Sequence, residues 1–413
     1  MITTLPSIRD YEPIVGKDCI DELFYLAGRI QRRKIQHINS TPVGGGVAEI
    51  LARMVPLIRE LDLDASWDII KGGDDFFAVT KEFHNALHGK TQLITEEMYD
   101  IYEHYTNLNL ELTPLIGDVI FIHDPQPAGL IKAKLRDEDH RYWIWRCHID
   151  VSNPDRQVWR FLKKYVERYD SAIFSMPSFA QVLSIPQFLI APSIDPLSKK
   201  NIELSQEEIH GVLERFQIDP ELPIVTQISR FDPLKDPIGV IEAYKIVSRH
   251  IDCQLVLAGG GASDDPEGAE VLSEVKTKAE GDKNIHIIEL APNSDIEINA
   301  LQRASTIIIQ KSLKEGFGLT VTEALWKGKP VVAGAAGGIV TQIENKITGM
   351  LVSSVEGAAY KIEYLLNNPD FAEQLGENGR QHVLHNFLIT RHVRDHLLLL
   401  LYLDHLNETV VKI

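Results

Sequence analysis

The sequence predicts an α/β fold of two domains, each built on a mostly parallel sheet, and three observations carry that prediction. The first is a recurring unit: a short apolar run, a turn rich in glycine or polar residues, then apolar residues at helical spacing. The second is length, since 413 residues exceed what one hydrophobic core usually organises. The third is a proline-marked, irregular segment at 190–198, containing Pro192 and Pro196, where no periodic pattern holds. It places the domains at 1–195 and from 196 onward.

In the first half, residues 8–33 carry mixed charge, with Leu23, Leu26, Ala27 and Ile30 at helical spacing, and read as an extension ending in a helix. Residues 35–40 read as a strand, 41–46 as a turn containing Gly44, Gly45 and Gly46, and 47–63 as a helix with Val47, Ile50, Leu51, Met54 and Leu57 on one face. Strand, glycine loop and helix together make a cradle for a phosphate or sugar phosphate. A tight packing turn uses the same glycines equally well, and the loop is neither a Walker A nor a G-x-G-x-x-G sequence. Residues 67–70 form a second strand. Residues 76–89 combine Phe76, Phe77 and Phe83 with His84, Asn85 and His88. That mixture suits a sugar face, by ring stacking and hydrogen bonding, and suits equally a helix that buries its aromatics. Residues 118–122 are a buried strand ending in His123, Asp124, Pro125 and Gln126, and residues 142–149 another, ending at His148 and Asp150. Polar residues just past the carboxyl ends of parallel strands lie where open α/β sheets bind ligands. Two histidine–aspartate pairs at two strand ends point to a site. A helix at 159–169 and a strand at 172–174 complete this half.

The second half opens with a helix at 205–216, where Ser205 and Glu208 have capping-box spacing. A strand at 223–228 exits into a loop carrying Arg230 and Lys235. Arg230 offers a planar fork for phosphate oxygens and Lys235 a movable point charge. Near a helix start they are a candidate diphosphate clamp; the alternative is two solvated loop cations. Strands follow at 254–258, with a turn at Gly259, Gly260 and Gly261, at 285–290, whose exit loop could seat a flat base, and at 306–309 after a short helix at 299–304. The turn Glu315-Gly316-Phe317-Gly318 comes next, then a helix from Leu319 or Thr320. Its glycines let backbone N–H groups approach a ligand, and the helix start favours an anion. Glu315 and Glu323 are eight residues apart with the helix start between them, so both could address one elongated, hydroxyl-rich ligand. Two solvated carboxylates are the alternative. A strand at 330–333, a glycine turn at 334–339 and helices at 371–387 and 390–405 close the chain.

Net charge of −17 argues against nucleic acid or an anionic membrane as main partner. Cys19, Cys147 and Cys253 are widely spaced with no CxxC, so neither a disulfide framework nor a zinc site is expected, and a reducing cytoplasm fits. The N-terminus lacks a signal-peptide pattern, and no segment approaches the roughly 20 apolar residues of a membrane span. No metal-binding motif is present, so no metal is expected.

The stretch from Glu315 to Glu323 resembles the E-x7-E signature of retaining glycosyltransferases of the GT-B fold, the glycogen-synthase-like group. Together with residues 37–51, 76–89, 123–128, 145–150, 192–201, 229–235 and 315–332, the resemblance covers nearly the whole chain and narrows to trehalose glycosyltransferring synthases. Fungal-type retaining trehalose phosphorylases share much of the pattern. The resemblance implies two Rossmann-like domains with parallel sheets facing a central cleft, the second ending at residue 389 and a last helix, 390–413, crossing back onto the first. It implies transfer of glucose from a nucleoside-diphosphate glucose, such as UDP-glucose or ADP-glucose, to glucose, giving α,α-trehalose without a metal or other cofactor. On the matching positions, Arg230 and Lys235 neutralise the leaving diphosphate, and Glu315 contacts the donor sugar. Gly316, Phe317, Gly318, Leu319 and Thr320 lie along the donor, and Glu323 holds the ribose. His148 stands near the reacting sugar, and Gly44, Gly45 and Gly46 face the donor phosphates and sugar. His84, Asn85, His123, Asp124, Gln126 and Asp150 fall in the remaining substrate-binding blocks. Gly334, Ala335 and Ala336 replace residues that are often bulkier or charged in relatives, and Asp236 stands after Lys235 where glycine is common. A phosphorylase would need the anion site but no ribose site. A non-catalytic sugar sensor would not need Arg230, Lys235, His148 and Glu315 together. The expected partners are small molecules (the sugar nucleotide, glucose, trehalose), and a homodimer is compatible with this reading.

Overall fold

A computed structural model describes residues 5–30, 33–43, 45–136, 140–260 and 266–405. The chain divides into two compact units, one made of residues up to Ser193 together with the segment from Ile389 on, the other of Ile194–Leu388. Each unit holds one six-stranded sheet, and every pairing in both sheets is parallel.

In the first unit the strands are β1 (Lys34–Asn39), β2 (Asp64–Ile69), β3 (Val119–His123), β4 (Tyr142–Arg146), β5 (Ser171–Phe174) and β6 (Gln187–Leu189), ordered β2-β1-β3-β4-β5-β6. Parallel strands need crossovers, and helices cover both faces, so the strands read as apolar runs without alternation. All five residues of β3 are buried. One face packs Ile38, Ile120, Ile122, Trp143, Trp145 and Phe174 into a core with Phe76, Phe83 and Tyr102. On the other face His37 stacks on Phe121, and His396 of the helix Ile389–Asp404 packs against both rings.

The second unit contains β7 (Ile224–Ile228), β8 (Gln254–Gly260), β9 (Ile285–Leu290), β10 (Ile307–Gln310), β11 (Val331–Gly334) and β12 (Met350–Val352), ordered β12-β11-β10-β7-β8-β9. Counted within the unit, this is the doubly wound order 3-2-1-4-5-6. One core lies on each side: Val225, Leu255, Leu257, Ile307 and Ile309 on one, Ile224, Ile228, Val256 and Ala258 on the other. In both sheets the winding reverses at one place, between β1 and β3 and between β7 and β10. At such a point the strand-exit loops diverge and leave a crevice.

The sequence expectation differs from the structure in a few elements. The Gly259–Gly260 turn is strand: β8 continues through both glycines. Gly259 is needed there because a Cβ would lie 1.8 Å from the Ser229 carbonyl oxygen on the neighbouring strand exit. Gly261 lies outside the described residues, as do residues 406–413 of the expected last helix. The edge strands β6 and β12, three residues each, are too short to show a period. The helix Glu96–Leu112 buries Tyr99, Tyr102, Thr106 and Asn109, a polar and aromatic face with no aliphatic stripe to read. Among the described residues, no helix is long and apolar enough to cross a membrane.

Candidate active site

In the second unit the reversal point joins the exits of β7 and β10. The Leu313 N–H donates to the Leu234 carbonyl at 2.8 Å and ties the two loops together. That contact sets Lys235 beside Glu315, whose Oε2 accepts from Lys235 Nζ at 2.5 Å and from Ser312 Oγ at 3.2 Å. Gln227 on β7 fixes the loop by donating to the Lys235 carbonyl at 2.8 Å. Asp236, the residue in the glycine position, has φ of +51° and caps the helix Pro237–Val247 by accepting from the Gly239 N–H. A left-handed residue is tolerable for aspartate, and its second oxygen pairs with buried Lys311. Arg230 stands apart, its side chain 67% exposed and 3.4 Å from Asp232.

Beyond Glu315 the chain turns through Gly316 and Phe317 to Gly318, at φ +87°, which precedes the helix Leu319–Trp326. Leu319 and Thr320 are half-buried in its first turn. Phe317 is buried against Phe387, so its ring packs and only its backbone borders the turn. Gly337 is equally constrained: its φ is +47° and a Cβ would lie 1.6 Å from the Glu315 carbonyl oxygen. The small residues at 334–338 are thus seated under the Glu315 turn. Glu323 is buried. So is Lys327, one turn on, whose Nζ donates to Asn201 Oδ1 at 2.9 Å and Gln302 Oε1 at 2.7 Å. Burial pushes Lys327 down to about 7, against the opposing pull of Glu323.

In the first unit the reversal point gathers three histidines. His37 Nδ1 lies 3.0 Å from His123 Nε2, and His123 Nδ1 lies 3.0 Å from His148 Nε2. His37 and His123 are buried, and His148 is half-buried. Asp124 has φ of +66°, and its Oδ1 accepts the His148 backbone N–H at 2.7 Å. Burial pushes the Asp124 carboxyl up to about 7. Arg146, fully buried, donates to the Ile190 carbonyl at 2.6 Å.

Other expected residues have different surroundings. Asp150 accepts from the Ser152 backbone and hydroxyl, closing a local turn. Gln126 lines a small crevice with Tyr105, Asn109 and Leu130. On the helix Asp74–Leu87, Phe76 and Phe83 belong to the core, while the His84 and His88 rings lie 4.7 Å apart and Asn85 is half-buried. Gly45, at φ +86°, precedes the helix Gly46–Glu60. Gly44 lies outside the described residues. Sequence reading passed over Ser312, Lys311, Arg146, His37, His392 and His396. For the last two a signal existed: histidines four apart on a helix share one face, here the buried one.

Two doubly wound parallel sheets, with charged and imidazole groups at their reversal points, are the architecture of the GT-B glycosyltransferases. Sucrose-phosphate synthase from Thermosynechococcus elongatus has the same fold, with a TM-score of 0.72 at 18% identity over 90% of this chain and 99% of that one. Residues 37–181 match the family described as trehalose synthase, N-terminal domain, and residues 212–382 match glycosyl transferases group 1. Trehalose synthase from Pyrococcus horikoshii is 44% identical over 411 residues, 97% of this chain and 96% of the relative. Its counterpart from Rubrobacter xylanophilus is 42% identical, covering 95% of each. A trehalose phosphorylase from Grifola frondosa is more distant, 29% identical across 92% of this chain but 59% of its own length. The chain belongs to the trehalose synthase family.

Proposed function

We propose that the protein is a retaining glucosyltransferase that moves glucose from a nucleoside-diphosphate glucose onto glucose, forming α,α-trehalose. The observation that carries this reading is the pairing of Lys235 with Glu315 immediately before the N-terminus of the helix Leu319–Trp326. It sets a cation, a carboxylate and a helix N-terminus side by side, the three needs of a sugar joined to a diphosphate. Lys235 has three donors, so it can hold Glu315 and still meet a phosphate oxygen. Arg230, exposed on the same loop, supplies a second positive group. Glu315, already positioned by Lys235 and Ser312, would accept from donor-sugar hydroxyls.

An α-linked donor and an α,α-linked product mean that configuration is retained. Glu315 is engaged by Lys235 and suits orientation better than nucleophilic attack. The acceptor hydroxyl would therefore add on the face the phosphate leaves: the C1–O bond to the diphosphate breaks, the C1–O bond to the acceptor forms, and the acceptor proton passes to the departing phosphate oxygen. Lys235, Arg230 and the helix start would stabilise the charge on that oxygen. Titration calorimetry with UDP, ADP and inorganic phosphate, followed by a turnover assay on whatever binds, tests the proposal. Nucleotide binding with trehalose formation supports it. Phosphate binding without nucleotide binding would replace it with a phosphorylase, and binding without turnover would leave a sensor.

A further inference from the structure

The histidine chain of the first unit runs from His148, which the family resemblance sets near the reacting sugar, through His123 to His37. Burial lowers His37, His123 and His148 well below the ordinary imidazole range, with the neighbouring histidines adding to it at His37 and His123 and the charge of Arg146 at His148. Each ring is then neutral and carries one proton, donating through one nitrogen and accepting through the other. The groups facing the chain are Arg146, Asp124 (through the His148 backbone N–H), and His396 and His392 on the helix Ile389–Asp404.

Only two proton arrangements satisfy both imidazole–imidazole bonds. In the first, all three rings carry the proton on Nδ1, and the inner end is a bare lone pair on His37 Nε2. In the second, all three carry it on Nε2, and the inner end is an N–H. His37 Nε2 is buried without a hydrogen-bond partner. An orphaned buried N–H is rare and costly, so the first arrangement is favoured. Reversing the chain would also need a proton delivered to a buried nitrogen that has no hydrogen-bond partner.

We propose that His37 and His123 are positioning residues that lock His148 as the Nδ1–H tautomer, so that it meets the sugar as a hydrogen-bond donor and not as a base. The inference rests on reading His148 as a sugar contact, but its first test does not. Long-range 1H–15N correlation on ligand-free protein labelled at histidine reads the tautomer directly. The native chain should show His148 protonated on Nδ1, His37→Leu a mixture, and His37→Asn, whose side-chain amide stands in for the Nδ1–H, the native form again. In steady-state transfer, His37→Leu should lower kcat about tenfold, the scale of one hydrogen bond, with donor KM unchanged and recovery in His37→Asn. An Nε2–H tautomer at His148 in the native chain overturns the proposal even where a variant fails to fold. A kcat unmoved by His37→Leu overturns it as well. Absence of glucosyl transfer would instead sink the functional reading and leave the tautomer measurement standing.

Discussion

Lys235 and Arg230 share a loop but differ in surroundings, and that difference separates what each should do. Lys235 is held by Glu315, whereas Arg230 is mostly exposed with one long contact to Asp232. Arg230→Ala should therefore leave stability within about 0.5 kcal/mol, as for an exposed side chain. It should still lower kcat/KM roughly a hundredfold, the scale for one preorganised charge-stabilising donor. A melting curve and steady-state kinetics check both halves, and near-normal turnover removes Arg230 from the clamp. Glu323 poses the opposite case, since it is buried near Lys327. If it holds the ribose, Glu323→Gln should weaken nucleotide binding in calorimetry and spare glucose 1-phosphate. Equal weakening of both ligands would make Glu323 a packing residue.

At the scale of elements, the turn 315–318 depends on the turn 334–338 beneath it. Gly337→Ala would put a Cβ into the Glu315 carbonyl at a left-handed backbone position. We expect a loss of about 1–3 kcal/mol, the cost of such strain, together with a fall in kcat as Glu315 moves. A variant with native melting temperature and native kcat would show that the two turns are independent. Elements of this kind were unequally legible. The capping box at Ser205 was readable because both partners lie within four residues: the Glu208 N–H donates to Ser205 Oγ and the Ser205 N–H to Glu208 Oε2. Gly259 has the sequence signature of a turn, because the reason for the glycine is the Ser229 carbonyl, 30 positions away in sequence. The helix Glu96–Leu112 leaves no apolar period in the sequence, because it packs through tyrosines and polar residues.

For the molecule as a whole, the buried histidines set a pH dependence. His37, His123, His148, His392 and His396 are all lowered by burial from 6.5, His396 to about 4. Below pH 6.5 the unfolded chain binds protons that the folded chain refuses, so stability is full above 6.5 and falls as pH drops toward 4. Asp124 works against this. Its folded value is about 7 against an ordinary 3.8, so it stabilises at low pH and loses that contribution as pH rises through 7. Five imidazoles against one carboxyl leave the acid loss dominant. Denaturant melts at pH 7.5 and 5 should show it, and His37→Phe should flatten the slope; a profile without loss at pH 5 would contradict the buried, neutral cluster. The proposed reaction assigns charge neutralisation to Arg230 and Lys235, so turnover should persist in EDTA. A strict requirement for Mg²⁺ or Mn²⁺ would overturn that assignment.

The sequence by itself determined the fold class and the residue types at strand ends, because apolar runs, glycine turns and helical spacing are local patterns written within a few tens of residues. It also placed Glu315 and Glu323 on a strand–turn–helix, a matter of spacing alone. Only the tertiary structure decided which of those residues meet. Lys235 touches Glu315 because β7 and β10 are neighbours, although 80 positions separate the two side chains. His37 reaches His148 through His123 because β1, β3 and β4 lie side by side. Strand order is set by the packing of whole helices and sheets, and a one-dimensional pattern holds no record of it.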